Sequence, residues 1–263
     1  MATVKDVLDF LEWTAPTAMK LDFDNVGLLA GWPERKVNRV MTSLDITSAV
    51  ISEAAAKKAD LIVSHHPLFF TLKSVTADDV TGRKLISLIE NGISAICMHT
   101  NLDAAEGGVN DTLARTAGIA APELFKTDGV LADGAAYGIG RIGELSEKTS
   151  LTEYLRHLKQ ALSSGGLRYY DAGRPVFRVA VLGGSGGNEL MDAVKSGCDT
   201  FVTADIKYDI FLLAAELGVN LIDADHFCTE NVIVPVLRDR LADAFYDIDV
   251  LVSESNTQTA KFF

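Results

Sequence analysis

The sequence predicts an α/β fold in two domains with mixed, mostly parallel sheets, and three observations lead there. Short β-branched runs alternate with amphipathic stretches along nearly the whole chain, which is the grammar of βα units and of strands covered on both faces. A glycine-rich stretch, TDGVLADGAAYGIGRIGEL at 127–145, breaks that rhythm before it resumes. The 263 residues, 48% hydrophobic and 23% charged, suffice to bury two cores without staples.

Apolar residues at Val4, Val7, Leu8 and Leu11 recur at helical spacing and predict an opening helix. Asp24, Asn25 and Gly27 read as a turn after it. RVMTSLDI (39–46) is the first strand, SAVISEAAAKKA (48–59) a helix and DLIVSHH (60–66) the next strand. GRKLISLIENG (82–92) is a helix stopped by Gly92, ISAICMHT (93–100) a strand and VNDTLARTAGI (109–119) a helix ending at Gly118. A boundary near residue 126 separates a first domain, 1–126, from a second, 127–263. In the second, SLTEYLRHLKQAL, GNELMDAVKSG and FLLAAELG read as helices, and FRVAVLGG, DTFVTADI and VNLIDADH as strands. TENVIVPVLRDRLADAF closes the pattern as one helix, followed by a strand around DIDVLVSES.

A net charge of −12 argues against a sequence-independent grip on nucleic acid, which depends on Lys and Arg neutralising phosphates. No run reaches the roughly 18 apolar residues of a membrane span, and the acidic N-terminus is unlike a secretion signal, so the expectation is a soluble, cytoplasmic protein. Cys97, Cys198 and Cys228 are odd in number and widely spaced, which excludes a disulfide framework and a thiolate zinc finger.

Chemistry in an open α/β sheet concentrates at the carboxyl ends of strands. One strand here ends in Ser64-His65-His66, the next in His99-Thr100-Asn101-Leu102-Asp103, and a later one in Asp223-Ala224-Asp225-His226 with Glu230 following. Pro67 keeps His66 extended, so the two adjacent imidazoles project to opposite sides. They can reach two different ions or flank one from a bent strand end. His226 and Glu230 are four apart where a strand gives way to a helix, a spacing that offers a nitrogen and an oxygen on one face. With Asp103, the inventory is three imidazoles and two carboxylates, which exceeds one four-coordinate site and suits two divalent ions about 3.5 to 4 Å apart. Each piece also has a bland reading: core histidines, a capping aspartate, an exposed ion pair. Convergence of several strand ends favours a metal site.

SHHPLFF, HTNLDAAEGGVNDTLA, LGGSGGNELMDAVKSGCD, TADIKYD and DADHFCTE occur in that order, with LDFDNVGLLAG, SLDIT and GIGRIGEL. Together these motifs resemble the dinuclear-metal-centre family of GTP cyclohydrolase 1 type 2 homologues, also called NGG-interacting-factor-three-like proteins. The resemblance spans almost the whole chain. It implies two α/β domains facing a shared metal-binding cleft, and carries over as metal ligands His65, His66, Asp103, His226 and Glu230. It also implies a homo-oligomer, a ring-shaped hexamer, and a chain without the domain that longer relatives insert between the halves.

Departures from the family pattern are Asp225 and Cys228 in the last motif, and Ala204 and Asp209 where relatives carry Gly and His. Cys228 reads as an inward-packed thiol, or else as a soft ligand. Lys207 and Tyr208 either orient an anionic group as catalytic residues or are merely solvated. Gly184, Ser185 and Gly186 of the GGSGG turn either cradle a phosphate on backbone N–H groups or form a tight turn. His99 is placed beside the ligands, orienting a carboxylate, and His157 on the surface.

The function implied is a metal-dependent hydrolase acting on a small molecule, a nucleotide under the family name, by GTP ring opening with release of formate. The alternatives are a metal-binding scaffold for a protein partner and a metal-dependent phosphoesterase. The mixed ligand set suits zinc, iron, manganese, nickel or cobalt.

Overall fold

Helix starts follow side-chain chemistry. In the computed structural model, which describes residues 1–263, the helix Val4–Thr14 begins at Thr3. The Thr3 hydroxyl accepts from the Asp6 N–H at 3.2 Å, and the Asp6 carboxylate accepts from the Thr3 N–H at 2.7 Å, a reciprocal cap. Val4, Val7 and Leu11 form its buried stripe. Thr47 caps Ser48–Ala56, Asp79 caps Val80–Glu90, and Ser150 with Glu153 caps Leu151–Ala161.

The chain is a mixed α/β fold in two units: Met1–Leu102 with Ile233–Thr257, and Asp103–Val232 with Gln258–Phe263. The first contains a five-stranded sheet in the spatial order Gly27–Ala30, Ser94–Cys97, Leu61–Ser64, Arg39–Ser43, Asp249–Val252. Only its first pair is antiparallel. Met41, Val50, Ile51, Ile62, Leu85 and Leu88 belong to its core. In register, Ser43 lies beside Ser64, and Ser64 beside Cys97. The residues leaving these three strands, Asp45, His65 with His66, and His99, therefore issue at one edge of the sheet.

The second unit holds a six-stranded sheet in the order Glu123–Leu124, Arg141–Thr149, Val176–Ser185, Thr200–Ala204, Asn220–Asp223, Arg168–Tyr170. Two of its pairs are parallel and three antiparallel. The parallel expectation thus holds for most of the first sheet and fails for most of the second. A short strand, Arg168–Tyr170, accounts for two of the three antiparallel pairs. The turn after it contains Gly173 at φ +69 and reverses the chain, so every later strand of the unit runs against Arg141–Thr149. Val179, Val181, Val202 and Ile222 fill one face of this sheet, and Ala180, Phe201 and Leu221 the other. The strand ends again align, with Ser185 beside Ala204 and Thr203 beside Asp223.

Two sequence expectations are corrected here. Residue 126 is not where the units divide, because Glu123–Leu124 already pairs with Arg141–Thr149 of the second sheet, and the stretch expected to hold a linker includes the start of that strand. The closing helix is two helices, His226–Glu230 and Ile233–Ala244. The break at 231–232 sits just before Pro235, tolerated there because the first turn has no intrahelical donors to lose. Residues 233–257 then belong to the first unit, where Asp249–Val252 pairs with Arg39–Ser43.

Candidate metal centre

In the first unit, the parallel ladder carries His65 and His66 just past Ser64. The His66 N–H donates to the Leu44 carbonyl at 2.8 Å, and the Ser64 hydroxyl to the His66 carbonyl at 2.8 Å, which fixes the bend before Pro67. His65 is fully buried. Three imidazoles gather at this edge: ring centroids of His65 and His66 lie 5.0 Å apart, His65 and His99 5.2 Å, and His66 and His99 5.5 Å. Each ring meets an acceptor at Nδ1. His65 Nδ1 is 2.9 Å from the Met98 carbonyl, His66 Nδ1 2.9 Å from Asp45 Oδ1, and His99 Nδ1 2.8 Å from Asp24 Oδ1. An acceptor there keeps the proton on Nδ1 and turns the Nε2 lone pair outward, the arrangement of metal-binding histidines. The three rings can each offer a ligand nitrogen, all within 4.8 Å of one another.

Asp24 is the anchor of this half. Its side chain is buried and accepts from the Thr100 N–H at 2.9 Å, the Thr100 hydroxyl at 2.5 Å and the Asn25 N–H at 2.7 Å, besides His99. Burial pushes its carboxyl up, but the hydrogen bonds from His99 and Thr100 outweigh that and hold it well below the usual carboxylate range.

In the second unit, His226 and Glu230 occupy one short helix, capped by the Asp225 carboxylate on the Cys228 N–H at 3.1 Å. His226 Nε2 is 2.9 Å from Glu230 Oε2, and its Nδ1 is 2.7 Å from Asp205 Oδ2. Burial lowers the His226 pKa, but the Glu230 and Asp205 carboxylates overcome it and raise it to about 9. Asp205 and Asp225 both adopt positive φ, +52 and +74, unusual for residues with a Cβ and a cost the fold bears where these side chains converge. Asp103 is buried. Asn110 orients its segment, donating to the Asp103 carbonyl at 3.0 Å and accepting from the Gly183 N–H at 2.9 Å.

The glycine turn has a definite role. A Cβ on Gly184, which sits at φ +68, would lie 2.1 Å from Glu230 Oε1, so only glycine lets the carboxylate rest against the turn. The Gly184 N–H donates to the Thr229 hydroxyl at 3.0 Å and the Gly186 N–H to the Gly184 carbonyl at 3.0 Å. These donors are spent within the protein, and the helix that follows, Leu190–Lys195, is only six residues long. At Gly184 and Gly186 the N–H groups are thus engaged as in a tight turn.

Lys207 and Tyr208 are exposed at the start of the helix Tyr208–Leu217, and Asp209 lies in its first turn. Ala204 is buried at the end of its strand. Cys228 is buried and belongs to the same core cluster as Val176 and Ile222, and burial raises its thiol to about 12. His157 stacks on Tyr154 at the surface.

The sequence reading named His65, His66, Asp103, His226 and Glu230 as candidate ligands. It missed that His99 is a third imidazole of ligand quality, and that Asp24, Asp45 and Asp205 hold the rings. The signal was there in Asp24 and Asn25, read as a turn, and in Asp45, read as part of the first strand.

A mixed α/β chain with histidines at strand ends, each fixed from behind by an acceptor, is the scaffold of a candidate metalloprotein. The chain belongs to the DUF34/NIF3 (NGG1p interacting factor 3) family, whose model matches residues 2–259. It is 36% identical over 265 residues to a GTP cyclohydrolase 1 type 2 homolog of Clostridium acetobutylicum, covering 98% of each chain, and 34% identical to that of Clostridium perfringens, covering 98% and 99%. Among solved structures it resembles a Staphylococcus aureus hypothetical protein, with a TM-score of 0.93, 30% identity and 99% of each chain covered. A reduced HcgD from Methanocaldococcus jannaschii gives 0.80 at 26% identity, covering 96% of this chain and 98% of that one.

The raised pKa of His226 makes a test. In metal-free protein its proton helps hold the Asp205–His226–Glu230 chain together below the ordinary value of 6.5, and that contribution is lost as pH rises through about 9. NMR titration will show the His226 imidazole changing protonation near pH 9, and replacing Asp205 by asparagine will bring that titration down.

Proposed function

We propose that the chain is a metal-dependent hydrolase in which His65, His66, Asp103, His226 and Glu230 hold two divalent ions. The donor chemistry fits: His65, His66 and His226 are each fixed through Nδ1, His226 Nε2 already faces Glu230 Oε2 at 2.9 Å, a nitrogen and an oxygen that an ion would take in place of the shared proton, and Glu230 lies against a turn only glycine allows. The observation that carries the reading is this shared fixation of imidazoles at strand ends, inside a family whose curated members bear the name of a GTP cyclohydrolase homolog.

Bound zinc, iron, manganese, nickel or cobalt would supply Lewis acidity and activation of water near neutral pH. The protein's part is positional. Met98, Asp45 and Asp205 hold the rings in one tautomer, Asn110 holds the Asp103 segment, and Asp24 keeps His99 beside His65 and His66 as a donor or a proton carrier. The substrate is a small molecule with a hydrolysable carbon, and GTP is the first candidate. No helix is long and apolar enough to cross a membrane. The assembly we propose is a homo-oligomer, a hexamer, which light scattering will weigh.

Protein reconstituted with each metal will release formate from GTP, and Asp103→Ala will not. Two bound metals without formate sinks the cyclohydrolase reading and turns the search to phosphoesters.

A further inference from the structure

We propose that Phe23 and Phe70 form a stacking ledge for a planar aromatic heterocycle, a purine base or a ring of that kind, at the edge of the His65, His66 and His99 cluster. The proposal rests on the hydrolase reading and specifies its substrate class.

Phe23 and Phe70 are 64% and 51% exposed, which is costly for rings that nothing requires at a surface. They are not loose. On one side the Leu21 N–H donates to the Thr100 hydroxyl at 2.9 Å, Asp24 is locked to His99 and Thr100, and the Asn25 amide donates to the Phe69 carbonyl at 2.8 Å. On the other side Leu68 is buried, Phe69 packs against the core of the first unit, and Phe70 follows directly. The Asn25 bond ties the two loops to each other. Phe23 is thus held by backbone fixed on both sides, and Phe70 by the anchored Leu68 and Phe69 before it.

Their geometry runs toward the imidazoles. Phe23 and Phe70 centroids are 6.0 Å apart at 55°, and Phe70 and His99 are 5.9 Å apart at 55°. Three rings make a continuous slope from solvent to His99, whose own ring touches His65 and His66. Phenyl rings carry no donor or acceptor, so the slope cannot select phosphate or sugar. It offers π-faces tilted 55° to one another, so that a planar base can stack on one and meet the next at its edge. A base lying on the ledge would put one edge beside the three imidazoles, where a ring-opening hydrolysis needs it. The same feature explains why two exposed phenylalanines flank the segments that hold the histidines.

The test is calorimetric binding of guanosine, GTP and tripolyphosphate to metal-loaded wild-type protein, Phe23→Ala, Phe70→Ala and Phe70→Tyr, with metal content and solution mass measured alongside. Loss of a stacking face will weaken guanosine and GTP alike by about 5- to 100-fold, while Phe70→Tyr holds near wild type. Tripolyphosphate binding and metal content will not change. Guanosine that binds the alanine variants as tightly as wild type, or fails to bind wild type, overturns the ledge. So does a fall in oligomeric mass in the alanine variants, which would assign the rings to contact with a second copy. The two readings fail separately: Phe70-dependent guanosine binding without formate release removes the cyclohydrolase alone, and formate release unaffected in Phe70→Ala removes the ledge alone.

Discussion

Replacing Asp24 by alanine will destabilise the protein by about 3 to 5 kcal/mol, the scale for removing one partner of a buried, charged hydrogen-bond network. The side chain answers four donors: His99 Nδ1–H, the Thr100 N–H and hydroxyl, and the Asn25 N–H. Truncation strands several of them at a buried position. Denaturant unfolding of wild type and variant checks this, and the pH dependence sharpens it. The folded-state pKa of Asp24 is depressed below its ordinary 3.8. Its contribution is therefore fully present above that value and drains away as pH falls below it. The stability gap between wild type and Asp24→Ala will be flat from pH 7 to 5 and narrow below about pH 4. An unchanged midpoint at pH 7 would mean that the network does not anchor the strand ends.

Gly184→Ala will cost little stability and much metal. The nearest atom to the new Cβ, at 2.1 Å, is the tip of the Glu230 side chain, which can swing away, whereas the backbone behind it need not move. The stability loss will be about 1 kcal/mol, the cost of a side chain at positive φ. The displaced carboxylate will lower metal affinity by about 10- to 100-fold, as loss of a well-placed group around a metal does. Competition with a chelating dye measures the affinity. A variant that binds metal like wild type would show that Glu230 is not held for ligation.

Much of the fold was readable because period and punctuation agree with tertiary structure where elements are long. Thr3 with Asp6 and Ser150 with Glu153 carry their capping signals in the sequence, and the apolar runs at 61–64 and 94–97 are buried as continuous strands are. What failed was long-range. Arg168–Tyr170 is three residues of a mostly exposed edge strand with no apolar run to mark it, yet it sets the direction of half a sheet. Residues 233–257 join the first unit through the pairing of Asp249 with Arg39, 210 positions apart, which no local pattern encodes. At the site, ligand types are visible because His and carboxylates have few reasons to cluster at strand ends. Their orienting partners are not, since Asp24, Asp45 and Asp205 differ from ordinary turn residues only in what they touch after folding.

The most direct measurement is the metal-to-protein ratio of reconstituted protein by elemental analysis, for wild type and for single alanine variants of His65, His66, Asp103, His226 and Glu230. Two ions per chain in wild type, with at least one lost in each variant, is the predicted result. A wild-type chain that retains no metal, or variants that all retain two, would contradict the dinuclear site.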